Sequence, residues 1–246
     1  MEYDHGRRVT SHYYEQSPLE RAIAEFETKA KAHYNSAEVI PKNETPEQLA
    51  KREKELAMAL AHLRLERLKT FTQIQVQCRL DEYRRAASGA TEGEWDDMQK
   101  AQKELANEKH HPTDRLANFM RSEGRPQPSP RFTAHHLVQG KGKTQLAAES
   151  RVDLHFHGIG INDPDNGVWM PMHKADKGHW AYKNAAAHSE IHTHNYEKWV
   201  HTHTQNLDSA QMMRDNLLIL RTHLKNGTQP KQVTARPDKN WNGIDE

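Results

Sequence analysis

A single cysteine, Cys78, stands in a chain of 246 residues, so no internal disulfide can form and a disulfide-stapled secreted scaffold is excluded. Cys78 falls on an apolar stripe of a helical stretch and is expected to pack against another helix rather than to react. No apolar run approaches the roughly 18 residues that a membrane span needs, and mean hydropathy is −1.04, so a soluble, polar chain is expected. The opening Met1-Glu2-Tyr3-Asp4-His5-Gly6-Arg7-Arg8 is polar and no apolar segment follows it, so a cleaved signal peptide is not expected. Charge of either sign is missing too. Thirty-five Lys and Arg against 34 Asp and Glu leave a formal +1, which excludes a basic nucleic-acid coat protein. What the chain does hold in excess is histidine: 18 in all, 12 of them after Arg131. Imidazoles concentrated in this way make a candidate metal site.

Taken in order, residues 1–16 carry little pattern and read as a loose arm. Ser17-Pro18-Leu19-Glu20 is a capping box that opens a helix fading near Asn35. Thr45-Pro46-Glu47-Gln48 repeats the device and opens a long helix to about Ala87. Leu49, Leu56, Leu60, Leu63, Ile74 and Cys78 trace its apolar stripe, widened by Leu65, Leu68, Phe71 and Val76. Such a helix needs partners, and an antiparallel bundle is expected. Thr91-Glu92-Gly93-Glu94 reads as a third capping box, opening a helix to about Glu108, and Thr113 to Ser122 reads as a fourth helix. Gly124-Arg125-Pro126-Gln127-Pro128-Ser129-Pro130 alternates proline and excludes helix, so an extended linker is placed at 125–130. The expected organisation is a helical region over 1–124, this linker, a second domain over 131–226 and a disordered tail over 227–246. In that second domain Arg131–Val138 and Val168–Met172 read as strands. Thr144–Asp153, Ala185 to about His203 and Asp208–Lys225 read as helices, the last ended by Asn226-Gly227. The fold class is therefore mainly α, an N-terminal helical bundle followed by a small α+β domain.

The chemistry-bearing residues lie in Thr133–His203. His188 and His192 are four apart, and on a helix both imidazoles reach one cation. His135-His136 lies upstream on an extended segment, where adjacent side chains point to opposite sides. One can then ligate while the other faces a substrate as a general base. Three histidines from two segments with one position open is the layout of a catalytic rather than a closed structural metal. Asn166-Gly167 makes a turn into the apolar Val168-Trp169-Met170, and its amide can bond backbone and hold two strands in register. His110-His111 precedes Pro112, reads as a loop, and is given little metal role.

Ala134-His135-His136, then Ile161-Asn162 with Asn166-Gly167-Val168-Trp169-Met170-Pro171, then His188-Ser189-x-x-His192-Thr193-x-x-Tyr196 and Val200 resemble the AHH nucleases of the HNH/endonuclease VII superfamily. The likeness covers roughly Arg131 to Thr204, under a third of the chain. It implies a ββα-metal finger and a metal-dependent endonuclease acting on DNA, with one divalent ion: zinc, nickel or magnesium. It also implies His135, His188 and His192 as ligands, His136 as general base and Asn166 as the brace of the finger. Tyr196 matches a family position and is assigned to packing or a substrate hydrogen bond. The long stretch from Pro171 to Ala187 brings His173 and His179, either of which is a possible substitute ligand. Such domains are typical C-terminal toxins of bacteria. The resemblance therefore implies a cognate immunity protein and a secretion-apparatus component or chaperone docking on the N-terminal helices. It further implies synthesis in a bacterial cytoplasm, export without a signal peptide and action in a target cell.

For the remaining groups two readings stand side by side. His155-Phe156-His157 would put both rings on one strand face beside the substrate, with polar surface as the simpler reading. Lys141, Lys143, Lys174, Lys177 and Lys183 are phosphate contacts or solvated surface. His194, His201 and His203 meet a helix dipole. Rival functions are an RNase, a phage or mobile-element endonuclease, and a helical adaptor that binds zinc without turnover.

Overall fold

The computed structural model describes residues 12 and 14–244, with the backbone of residues 3, 4, 7 and 8. Most of the expected loose arm over 1–16 lies outside the described residues. Two-residue strands β1 (Tyr3–Asp4) and β2 (Arg7–Arg8) pair antiparallel. The chain divides into two compact units, Met1–Cys78 with Ser122–Gly124, and Arg79–Arg121 with Arg125–Glu246.

In the first unit, helix α1 (Pro18–Glu38) starts on the expected capping box: Glu20 N donates to Ser17 Oγ and Ser17 N donates to Glu20 Oε2. Helix α2 (Pro46–Ser88) starts on the second, with Thr45 and Gln48 bonding each other's backbone N–H. Lys29 and Glu66 link the two helices at 3.3 Å. The apolar content is thin, however. Helix α1 buries none of its residues, and Leu49, Leu65, Leu68 and Phe71 of α2 are exposed. Cys78 is exposed as well, not packed as expected.

The second unit begins inside α2 and takes in α3 (Trp95–Asn107) and α4 (Asp114–Ser122). The second unit thus takes in residues 79–121 as well, ahead of the proline-rich stretch at which the sequence suggests a linker. Prolines exclude helix there, but the chain is tied down by other groups: Trp169 Nε1 donates to Arg125 O, Arg125 Nη1 to Pro164 O, and Gln127 Nε2 to Phe132 O. The third capping box is also absent. Helix α3 starts at Glu94 with no side-chain cap, and Thr91 instead donates to Ser88 O.

Strands β3 (Phe132–His136) and β4 (Gly167–Pro171) pair antiparallel, with His135 opposite Val168 and His136 opposite Gly167. Helix α5 (Gln145–Phe156) lies between them in sequence, and α6 (His194–Thr204) and α7 (Ala210–Asn226) follow. The finger is β3, β4 and α6. Gly167 is required by close approach: a Cβ there would meet Met120 Sδ at 2.7 Å and Leu116 Cδ1 at 2.9 Å. Phe132 and Ala134 pack with Leu116, Met120 and Trp169, while Val168 and Met170 join Leu137, Ile161, Tyr196, Trp199, Leu217 and Leu220 in the main core.

Two expected elements differ. The single helix over Ala185–His203 is a 3-10 turn, His188–Glu190, followed by α6. Glu190 reaches back to Ala187 N and Thr193 accepts from Tyr196 N, so two start signals compete and the chain breaks between them. The tail expected to be disordered is held in place. A 3-10 turn at Lys231–Thr234 and buried Val233 and Trp241 join the main core. Asn195 Nδ2 donates to Gln232 O and Arg236 O while Asn195 Oδ1 accepts from Asp238 N. Burial of the two apolar side chains contributes about 1.5–3 kcal/mol each.

Candidate metal centre

His135 lies on β3, His188 in the 3-10 turn and His192 in the irregular segment just before α6. One ring nitrogen from each lies within 4.8 Å of the other two. His188 Nε2 and His192 Nε2 are 3.1 Å apart. Two imidazoles on a tetrahedral cation at about 2.05 Å each would place their nitrogens about 3.3 Å apart, so the pair already has the spacing of a shared ion. The convergence does not come from one α-helix, as the spacing of four suggested, but from a turn and the irregular segment after it.

The ring of His135 is oriented by Tyr196, which is fully buried on α6. Its hydroxyl donates to Leu137 O at 2.8 Å and lies 2.9 Å from His135 Nε2. The single phenolic hydrogen goes to the carbonyl, so His135 Nε2–H must be the donor to Tyr196 Oη. That fixes the tautomer and leaves Nδ1 with the lone pair for a cation. Tyr196 therefore holds the His135 ring from within the core, and it does not line the cavity. Gln139 lies 3.3 Å from His192 Nδ1, and its amide, turned to present oxygen, would accept that N–H once Nε2 ligates.

Burial sets the charge state. His135 is held well below the ordinary imidazole range, first by desolvation and then by His188, His192 and His136. His188 is pushed down to about 4 by desolvation and His192, and His192 is lowered by desolvation and Lys143. All three are neutral at pH 7, the form that ligates. Three imidazoles with a fourth position open fit a borderline cation such as zinc or nickel better than magnesium, which prefers oxygen.

His136 points away from the triad, toward Asn162, whose Oδ1 is 3.1 Å from His136 Nε2. Burial lowers it to about 4, against the opposing pull of the Asn162 bond. Both neighbours nevertheless line one cavity of about 180 Å³, together with His188, His192, His110, His111 and Lys141. The sequence gives the His110-His111 pair little role because Pro112 marks it as loop, yet the structure brings that loop to the wall of the cavity. Gly140 lets the β3–α5 loop close onto His110, since a Cβ there would lie 2.2 Å from the ring.

Asn166 is fully buried and does what the brace requires: Oδ1 accepts from Val138 N at 2.7 Å, and Nδ2 donates to Val138 O and Ile161 O. Every polar atom of its side chain is used on backbone, so it acts on the fold of the finger and not on a reacting group.

Other expected residues lie elsewhere. Lys143 Nζ donates to His192 O, and Lys174 and Lys177 pair with Glu190. His155 and His157 sit at the end of α5, not on a strand, and neither lines the cavity. Among the described residues neither His173 nor His179 is in the converging group; His173 is exposed and His179 packs edge-on against Phe132. His201 pairs with Glu149 at 3.1 Å, and His203 Nδ1 lies 2.9 Å from Trp199 O.

Residues 116–226, from within α4 to the end of α7, match the model of a known protein family. No curated protein and no solved structure matches the chain. Those residues carry the Ala134-His135-His136 motif on β3 with His188 and His192 converging on His135, and the model they match is AHH, a nuclease family of the HNH/ENDO VII superfamily with conserved AHH.

Proposed function

We propose that the second unit is a divalent-metal-dependent endonuclease that hydrolyses DNA phosphodiesters. The observation that carries this is the convergence of His135, His188 and His192 beside His136 on one open cavity. A cation held by the triad would supply electrostatic stabilisation for the negative charge that grows on the non-bridging oxygens and the departing 3′ oxygen.

The chain's own groups do the rest. Because Asn162 Oδ1 accepts from His136 Nε2–H, Nδ1 is the basic nitrogen that takes a proton from the attacking water. An imidazole held near 4 is neutral but weakly basic. A phosphodiester anion in the cavity favours imidazolium and raises it toward working range. Lys141, His110 and His111 line the same cavity and face the phosphate.

In our reading the protein is an antibacterial effector, made in a bacterial cytoplasm, delivered into a competing cell and neutralised at home by an immunity protein. The N-terminal helices serve as its docking element for a secretion component. Purified protein incubated with plasmid and with RNA across a zinc, nickel and magnesium series tests the activity. Expression in a bacterial cytoplasm, wild type against His136→Ala, tests the toxin reading. Degraded chromosome only with the wild type is expected. RNA cut in preference to plasmid would overturn the DNA assignment. No cleavage with any metal would favour a zinc-binding adaptor.

A further inference from the structure

We infer that Glu108 and Asn162 form a positioning pair that fixes the tautomer and aim of His136, so that the active site extends ahead of the family-matched residues 116–226. The inference rests on the reading of His136 as the general base.

Asn162 is 1% exposed. Its Nδ2 donates to Glu108 Oε1 at 2.8 Å and to Lys109 O at 3.0 Å. Both amide hydrogens thus face obligatory acceptors, one of them a carboxylate, and the amide cannot be turned over. Oδ1 alone is left for His136, at 3.1 Å. An amide oxygen only accepts, so His136 Nε2 carries the proton and Nδ1 the lone pair. Were the amide reversed, His136 would be protonated on Nδ1 and present no base to a water there.

Glu108 is in turn over-determined. Tyr83 Oη donates to Oε2 at 2.7 Å and Arg115 Nη1 to Oε1 at 3.2 Å, while Asn162 N donates to Tyr83 Oη at 3.0 Å. Arg151 pins the same segment, donating to Glu108 O at 2.7 Å and to Gly140 O at 2.8 Å. A carboxylate fixed this firmly selects one amide orientation, and the amide selects one imidazole tautomer. The helical region before the finger therefore orders its base.

The test uses the full chain, metal-free, with nitrogen-15 NMR of the His136 ring, alongside plasmid cleavage and zinc titration. In the wild type Nε2 is expected as the protonated nitrogen. Asn162→Ala and Glu108→Ala should mix the tautomers and lower kcat about 10- to 100-fold, with KM and zinc affinity little changed. Glu108→Gln, which keeps an acceptor for the Asn162 amide, should restore most of both signals. A folded Asn162→Ala with an unchanged ring pattern overturns the inference. If that variant does not fold, an unchanged pattern in Glu108→Ala overturns it equally. A wild type that cuts nothing but shows the expected tautomer would sink the nuclease reading while leaving the positioning pair intact.

Discussion

At the residue scale the adjacent histidines His135 and His136 divide their work because strand geometry sends them to opposite sides, one to Tyr196 and the other to Asn162. The two should separate cleanly in mutagenesis. His136→Ala is expected to lower kcat by about 10²–10⁴-fold while zinc affinity holds, as read by single-turnover cleavage and competition titration. His188→Ala or His192→Ala should weaken both together. Equal zinc loss in all three variants would contradict the division of roles. Tyr196→Phe keeps the ring in the core but removes the acceptor for His135 Nε2–H. Zinc affinity should fall about tenfold with a fold cost of about 1 kcal/mol. Unchanged zinc affinity in that variant would show that His135 needs no partner to be held.

Among the elements, the short hairpin depends on one side chain from outside its strands. Asn166→Ala would leave Val138 N, Val138 O and Ile161 O without their present partners. Each unsatisfied buried group costs about 1–3 kcal/mol, so a loss of roughly 3 kcal/mol or more is expected in chemical denaturation. The tail makes a second elemental prediction. A chain ending at Thr228 loses Val233 and Trp241 from the core and the clasp of Asn195, and its melting temperature should drop by several degrees. An unchanged melt would mean that the tail adds nothing to the core. Its role was invisible in the sequence because two apolar residues among prolines and charges have no period, and only the partner surface on α6 and α7 gives them a place. The capping boxes at Ser17 and Thr45 were legible because they are local, closing within four residues. The one read at Thr91 does not form because Gly93 takes φ +120°, a left-handed conformation that breaks the turn before α3.

Over the whole molecule, buried neutral histidines make folding sensitive to acid. His136, His155 and His188 are held near 4, against about 6.5 for the unfolded chain. Above pH 6.5 neither state protonates them and stability is full. As pH falls from 6.5 toward 4, the unfolded chain takes up protons that the folded chain refuses, so stability declines and then levels off for these groups. Thermal melts with a chelator at pH 7.5, 5.5 and 4.5 should show that fall, and a midpoint rising on acidification would refute it. A cation that binds only the folded triad, at a hundred times its Kd, should raise stability by about 2.7 kcal/mol.

The sequence by itself determined the predominance of helix, the two capping boxes, the strand pair and the choice of His135, His188 and His192 as a candidate triad, because each is written in residue type and short spacing. Only the tertiary structure decided that His188 and His192 converge from a turn and an irregular segment, that Tyr196 serves His135, and that Glu108 and the His110–His111 pair belong to the site. Those relations join residues tens of positions apart, and no local pattern encodes a partner that packing alone brings within hydrogen-bonding distance.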